Sequence, residues 1–372
     1  MNADINTLLQ QELHTLASQR HVHHALLGVS HLHGDLHWLG ATGTANAQGE
    51  PASIHTPFHI ASIDKLMTAT LVMQRVEQGL LDLDAPLETC LPQTLIRGLP
   101  PLTLRHLLSH TSGLPDCYEE RPAQGLSLME RVFQGELTEW TLEQVMDQVR
   151  QMKPHFAPRN PRQPGQWARY CNTGYELMNW LIEDLSQQPL HQCLQQDIFI
   201  PAGMAHSWQL GRMAAPQDSL PPADIWIDDQ PLQNQVALEH FTSIYCTLDD
   251  LIRFIKALVQ GQLFQNPGTL PQMLQTRHKF GFPLDRVALR APGWPIQVGL
   301  GLQSFCVPRL FTPFHSIPEV IGHTGSTSSW VFYCPERQLV ICGCVNQTRA
   351  AALPYQRVPG LLKKLKIVSP DA

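Results

Sequence analysis

The chain has 372 residues, 43% of them hydrophobic and 16% charged, with 26 Lys plus Arg against 32 Asp plus Glu and a net charge of −6. There is apolar material for a sizeable core, too few charges for a disordered segment, and no basic excess to wrap nucleic acid. The length suggests two domains, and no apolar run approaches the ~18–20 residues of a membrane span.

In chain order, Ile5, Leu8, Leu9 and Leu13 fall on one stripe of a first amphipathic helix. This start lacks the basic residues and apolar run of a signal peptide, so a cytoplasmic location is expected, and nine scattered cysteines fit reduced thiols there. A strand from Ala25 to Leu32, a turn at Gly34-Asp35 and a strand from Leu36 to Leu39 read as a hairpin. A helix is predicted from about Ser62 to Gln78, with Leu66, Ala69, Met73 and Val76 on its buried stripe and Gly79 as its stop. Residues 80–285 are punctuated by proline and read as helices at 102–109, 141–152, 174–187, 190–197 and 247–260. Strands return at Gly299–Phe305, Trp330–Tyr333 and Gln338–Val345, and a closing helix covers about 354–366. Strands at both ends with helices between predict an α/β (α+β) fold. Residues 1–79 and 286–372 form one domain, and 80–285 a mostly helical domain inserted into it.

Three short motifs carry chemistry. Ser62 and Lys65 stand three apart at the mouth of a helix, on one face, close enough for an amine to reach a hydroxyl. A capping serine followed by a surface lysine has the same spacing. Tyr170-Cys-Asn172 reads as extended, which points a proton-carrying phenol and an amide the same way. His323-Thr324-Gly325, followed by Ser326, sits on a strand edge where backbone can pair with a peptide-like substrate and glycine permits close approach.

Other residues read as structure. His21, His23, His24, His31, His33 and His37 crowd the first hairpin without a Cys or carboxylate to complete a metal site. His106 and His110 lack the Glu of a zincin helix, Cys342 and Cys344 read as strand filling, and Gly299-Leu-Gly301 has no third glycine for a dinucleotide. There is no Gly-x-Ser-x-Gly elbow.

Ser-x-x-Lys, Tyr-x-Asn and His-Thr-Gly in that order resemble the serine β-lactamase and penicillin-binding-protein superfamily, in its class C branch. Family-like text recurs at Leu104–Pro115, Pro164-Gly165, Pro201–Met204 and Thr247–Phe254. The resemblance implies an antiparallel sheet flanked by helices, with the active site in the cleft between the two domains. It also implies a serine hydrolase acting through an acyl-enzyme on a small amide, short peptide or ester, as a D-alanyl carboxypeptidase or β-lactamase does. Ser62 is then the nucleophile, Lys65 and Tyr170 share the proton work, and Asn172 orients Lys65 and the substrate amide. The N–H groups of Ser62 and Ser326 form the oxyanion hole, and His323 faces a substrate carboxylate, with Thr324 and Gly325 beside it. No cofactor, metal, membrane or protein partner is expected. The sequence departs from the pattern at His323, where most β-lactamases have lysine, at Ser326 in place of glycine, and at Thr242-Ser243 in place of a Gly-Gly pair. A carboxylesterase, and a silent ligand-binding homologue, are the alternatives.

Overall fold

The computed structural model describes residues 3–241, 244–281, 295–310, 312 and 316–365. The Thr242-Ser243 departure and the boundary read at 285/286 lie outside these residues. The strands are β1 (His24–His31), β2 (His37–Gly43), β3 (Phe58–His59), β4 (Trp167–Ala168), β5 (Trp208–Gln209), β6 (Trp226–Ile227) and β7 (Gln230–Pro231). They continue as β8 (Ile244–Cys246), β9 (His278–Phe280), β10 (Ile296–Val298), β11 (Gln303–Phe305), β12 (Val320–Thr324), β13 (Ser329–Cys334) and β14 (Leu339–Cys344). Nine of them form one sheet in the order β2-β1-β14-β13-β12-β11-β10-β9-β4. Every pair is antiparallel except β4 with β9, so the expected antiparallel sheet carries one parallel pair at its edge.

Alternation along the central strands decides which face each helix covers. Ala25, Leu27 and Val29 of β1 and Leu339 and Ile341 of β14 pack with Leu9, Leu13 and Leu16 of the helix Ala3–Ala17 and with Leu361 and Leu362 of the helix Leu353–Lys364. Leu26, Val340, Cys342 and Cys344 face the other way, toward the helix Leu248–Val259 and its Leu251, Ile252 and Ile255. Cys342 and Cys344 therefore fill a core, as their spacing suggested. Helix Leu248–Val259 lies on the sheet although its residues fall within the segment read as helical. Among the described residues no helix is long and apolar enough to cross a membrane.

The helix expected from Ser62 is divided: a 3-10 turn, Ala61–Ile63, precedes an α-helix, Asp64–Glu77. Gly79 follows at φ +74°, the left-handed position that ends a helix cheaply with glycine. A small sheet, β3-β8-β5, braces the approach to this turn.

Candidate active site

The backbone around Ser62 is held from two sides. On one, β3 pairs with β8, and the Ile60 N–H donates to the Ile244 carbonyl at 3.0 Å. On the other, Thr327 Oγ1 donates to the His59 carbonyl (2.9 Å) and Ser329 Oγ to the Ile60 carbonyl (2.8 Å). This bracing keeps Ala61 at φ +48°, a region non-glycine residues rarely enter. A Cβ on Gly325 would lie 2.3 Å from both the Ile60 oxygen and Ser329 Oγ. The close approach this glycine permits is thus the protein's own, of the end of β12 onto the turn before Ser62.

Lys65, the second residue of the helix and one turn past Ser62, brings Nζ to 3.5 Å from Ser62 Oγ. Its side chain is 3% exposed, with the Tyr170 and Tyr175 rings 5.5 and 5.6 Å away and Asp64 Oδ1 at 3.7 Å. Burial works against the ammonium, but the negative ends of Tyr170, Asp64 and Glu176 outweigh it and raise the Lys65 pKa. Burial pushes the Tyr170 phenol up to about 12, against the pull of Lys65. The resting pair at neutral pH is an ammonium beside a phenol. Tyr170 Oη is buried, and beyond its interaction with Ser62 and Lys65 it has no hydrogen-bond partner among the described residues. Its ring lies 4.8 Å from that of His110, whose Nδ1 accepts the Cys171 N–H at 3.2 Å. His110, read above only as half of a failed zincin pair, thus fixes the segment that carries Tyr170.

Asn172 is not on an extended segment with Tyr170. It is the first residue of the helix Asn172–Ser186, and Cys171 before it is extended. Its backbone N–H and its Nδ2 both donate to Asp116 Oδ2, at 2.7 and 2.8 Å. One N–H of its amide is thus given to Asp116, and Oδ1, the atom able to accept from the Lys65 ammonium or from a substrate N–H, is left for the cleft. Burial pushes the Asp116 carboxyl up, although the N–H groups of Asn172, Glu119 and Tyr118 pull the other way.

Ser62, Tyr170, Asn172, Thr324, Gly325 and Ser326 line one cleft. The Gly325 N–H donates to the Ser329 carbonyl, which closes the turn between β12 and β13 and leaves Ser326, in that turn, on the cleft wall. His323 does not join them. Successive strand residues face opposite ways, and with Thr324 on the cleft His323 is 2% exposed, its ring within the influence of Lys65 and His110 and its Nδ1 on the Thr324 carbonyl. Burial lowers its pKa to about 3, so it is a neutral imidazole and cannot pair with a substrate carboxylate. That expectation is corrected.

Sequence reasoning missed other residues of the cleft wall, among them Tyr118, Glu119, Phe241, Phe280, Gln303 and Tyr355, which come from separate segments. Behind the cleft, Tyr118 Oη donates to Glu176 Oε1, and Asp64 and Glu176 face a second cavity with Thr68 and Asn179. Three of the hairpin histidines have partners elsewhere, whereas both ring nitrogens of His24 are buried with no hydrogen-bond partner among the described residues. His21 Nδ1 lies 2.8 Å from Asp229, His37 Nε2 lies 3.2 Å from Asp249, and His31 accepts the N–H groups of His33 and Gly34. Among the described residues no group of three or more His, Cys, Asp or Glu side chains is arranged to hold a metal ion.

The family model described as Beta-lactamase matches residues 9–357. The chain belongs to the Beta-lactamase family. Within it, the chain is 28% identical over 214 residues to penicillin-binding protein 4 of Amycolatopsis lactamdurans, covering 57% of this chain and 50% of that protein. It is 26% identical over 290 residues to esterase EstB of Burkholderia gladioli, covering 70% and 71%. The chain spans about half the length of the penicillin-binding relatives it matches. In structure it resembles D-amino acid amidase from Ochrobactrum anthropi SV3, with a TM-score of 0.73, 21% identity and coverage of 98% of this chain and 100% of that one. At that identity the likeness is one of fold.

Proposed function

We propose that this member of the Beta-lactamase family is a serine hydrolase that forms an acyl-enzyme on Ser62 from a small amide, short peptide or ester. The observation that carries the reading is the meeting of Ser62 Oγ and Lys65 Nζ at 3.5 Å beside a buried phenol that has no other partner among the described residues. Loss of one proton from the Lys65–Tyr170 pair creates the base that deprotonates Ser62 as it attacks the carbonyl. The oxyanion forms against the N–H groups of Ser62 and Ser326, and the pair returns the proton to the leaving amine or alcohol. Water then repeats the sequence on the acyl-enzyme. Asn172 Oδ1 takes the substrate N–H. Ser62, Thr324 and Ser326 come from one of the two domains read in the sequence, and Tyr170 and Asn172 from the inserted one, which supports a cleft between them. All nine cysteines are free, which supports a reducing, cytoplasmic setting.

A carboxylesterase reading is favoured by the likeness to esterase EstB, 71% of which is covered. The experiment is to treat the protein with a fluorophosphonate and with labelled penicillin, and to locate the adduct by mass spectrometry. An adduct on the Ser62 peptide, absent in Lys65→Ala, is expected. A protein that neither reagent labels is a silent binder. Relative rates on matched amides and esters then decide the bond.

A further inference from the structure

The wall of the cleft beside β12 holds a chain of three polar groups that the reaction itself does not use. Tyr355 Oη lies 2.7 Å from Gln303 Oε1, and Thr324 Oγ1 lies 2.9 Å from Tyr355 Oη and 3.5 Å from Gln303 Oε1. All three residues line the cleft. Gln303 and Tyr355 are 4% and 6% exposed, so water competes little for their bonds. Burial also pushes the Tyr355 phenol up, and it keeps its proton.

Proton counting gives this chain a direction. An amide oxygen only accepts, so Tyr355 must spend its single proton on Gln303 Oε1. The bond between Thr324 and Tyr355 is then donated by Thr324, whose own proton is spent in turn. What Thr324 presents to the cleft is lone pairs, and what Gln303 has left to offer is its amide N–H groups. A carboxylate placed here sets its charge against the Thr324 lone pairs. A carboxamide satisfies both, its N–H on Thr324 and its carbonyl on Gln303. Nothing nearby reverses the preference: His323 is buried and neutral, and among the described residues no Lys or Arg lines the cleft.

We infer that the Thr324–Tyr355–Gln303 chain selects acyl donors whose group at this position is a neutral carboxamide and rejects those ending in a free carboxylate. The inference names the substrate class of the site proposed above and rests on that reading for its catalytic consequence. It sets the protein apart from an enzyme that trims peptides at a free C-terminus.

The test uses aryl esters of dicarboxylic acids of four to six carbons, each prepared with its far end as the acid and as the primary amide. In wild type, kcat/KM for the amide-ended ester should exceed that for the acid-ended one by about tenfold or more at the preferred length. Tyr355→Phe keeps the ring and breaks the chain, which leaves the Thr324 hydroxyl only the long 3.5 Å contact with Gln303 Oε1 to hold its proton and lets it donate into the cleft. The ratio should fall about five- to tenfold, chiefly through faster turnover of the acid-ended ester. Gln303→Met removes the terminal acceptor and should have the same effect, so a folding defect in one variant does not void the test. An acid-preferring wild type would mean that the chain runs the opposite way, with the Gln303 amide nitrogen as first donor, and overturns the inference. An unchanged ratio in both variants does so too. Equilibrium binding of the paired amide- and acid-ended products to Ser62→Ala separates the two readings. A tenfold preference for the amide there upholds the selectivity even if hydrolysis fails, and equal binding sinks it even if hydrolysis succeeds.

Discussion

Replacing Asp64 by asparagine should make the enzyme work at lower pH. Asp64 Oδ1 sits 3.7 Å from Lys65 Nζ and is buried; burial pushes the Asp64 carboxyl up, while the Lys65 ammonium and backbone N–H pull the other way and favour the carboxylate. At an effective dielectric of 20 the attraction is about 4.5 kcal/mol, equivalent to roughly three pH units. Part of that is lost because Tyr170 and Glu176 also face Lys65 and because Asp64 borders a cavity. An effect of at least ~1 pH unit should survive. The sign follows from both partners. A carboxylate at Asp64 favours the Lys65 ammonium and disfavours the Tyr170 phenolate, so it delays loss of the proton that must leave before Ser62 has a base. Removing it moves the acid limb of kcat/KM downward. The assay is kcat/KM for an uncharged aryl ester from pH 4.5 to 9, a window set by the ordinary carboxylate and amine ranges, paired with the rate of Ser62 labelling by a fluorophosphonate. An acid limb that stays in place, or moves up, would refute the claim that Asp64 is an ionised counter-charge to the pair.

Tyr170→Phe keeps the ring against His110 and removes the phenol; turnover should fall ~10²–10⁴-fold with the melting temperature unchanged, and a normal rate would demote Tyr170 to packing. In Gly325→Ala the new Cβ would lie 2.3 Å from the Ile60 oxygen. It should displace the Ser62 turn and cost about 1–3 kcal/mol in urea unfolding, together with most of the activity. Stability should also fall with acid. Burial lowers His24 and His59 to about 4 and His110 and His323 to about 3, so each imidazole is neutral when folded and protonates on unfolding. Their contribution is full above pH ~6.5 and declines below it, by about 2 kcal/mol each at pH 5, until the folded values are reached. Urea titrations at pH 7 and 5 measure this, and equal unfolding free energies would contradict it.

The fold was legible where periodicity runs long. The first hairpin, the helix after Ser62 and the strands at 329–344 each bury several alternate or helically spaced residues. Strands of two or three residues such as β4 and β9 offer no period to read, and their place in the sheet depends on partners far along the chain. In the site, Ser62 and Lys65 were legible because one helical turn fixes them. Asn172 was misread because the chain changes from extended to helical between Cys171 and Asn172. His323 was misread although strand alternation already forbids it from sharing a face with Thr324. Asp64, Asp116, Gln303 and Tyr355 gain their meaning only from tertiary neighbours, and no spacing announces them.

The position of β1 between β2 and β14 has a consequence for the order of assembly. Leu26 lies opposite Cys344, so one side of β1 stays unpaired until nearly the whole chain is made. At ~5–20 residues per second that wait is roughly 15–60 s, during which the β1–β2 hairpin offers a bare, apolar edge to any passing strand. The carbonyls before Ser62 wait equally long for the hydroxyls of Thr327 and Ser329. On the mechanism proposed above, a nascent chain that has not reached Ser329 would leave the Ser62 turn unbraced, and its nucleophile would be armed only once β13 joins the sheet.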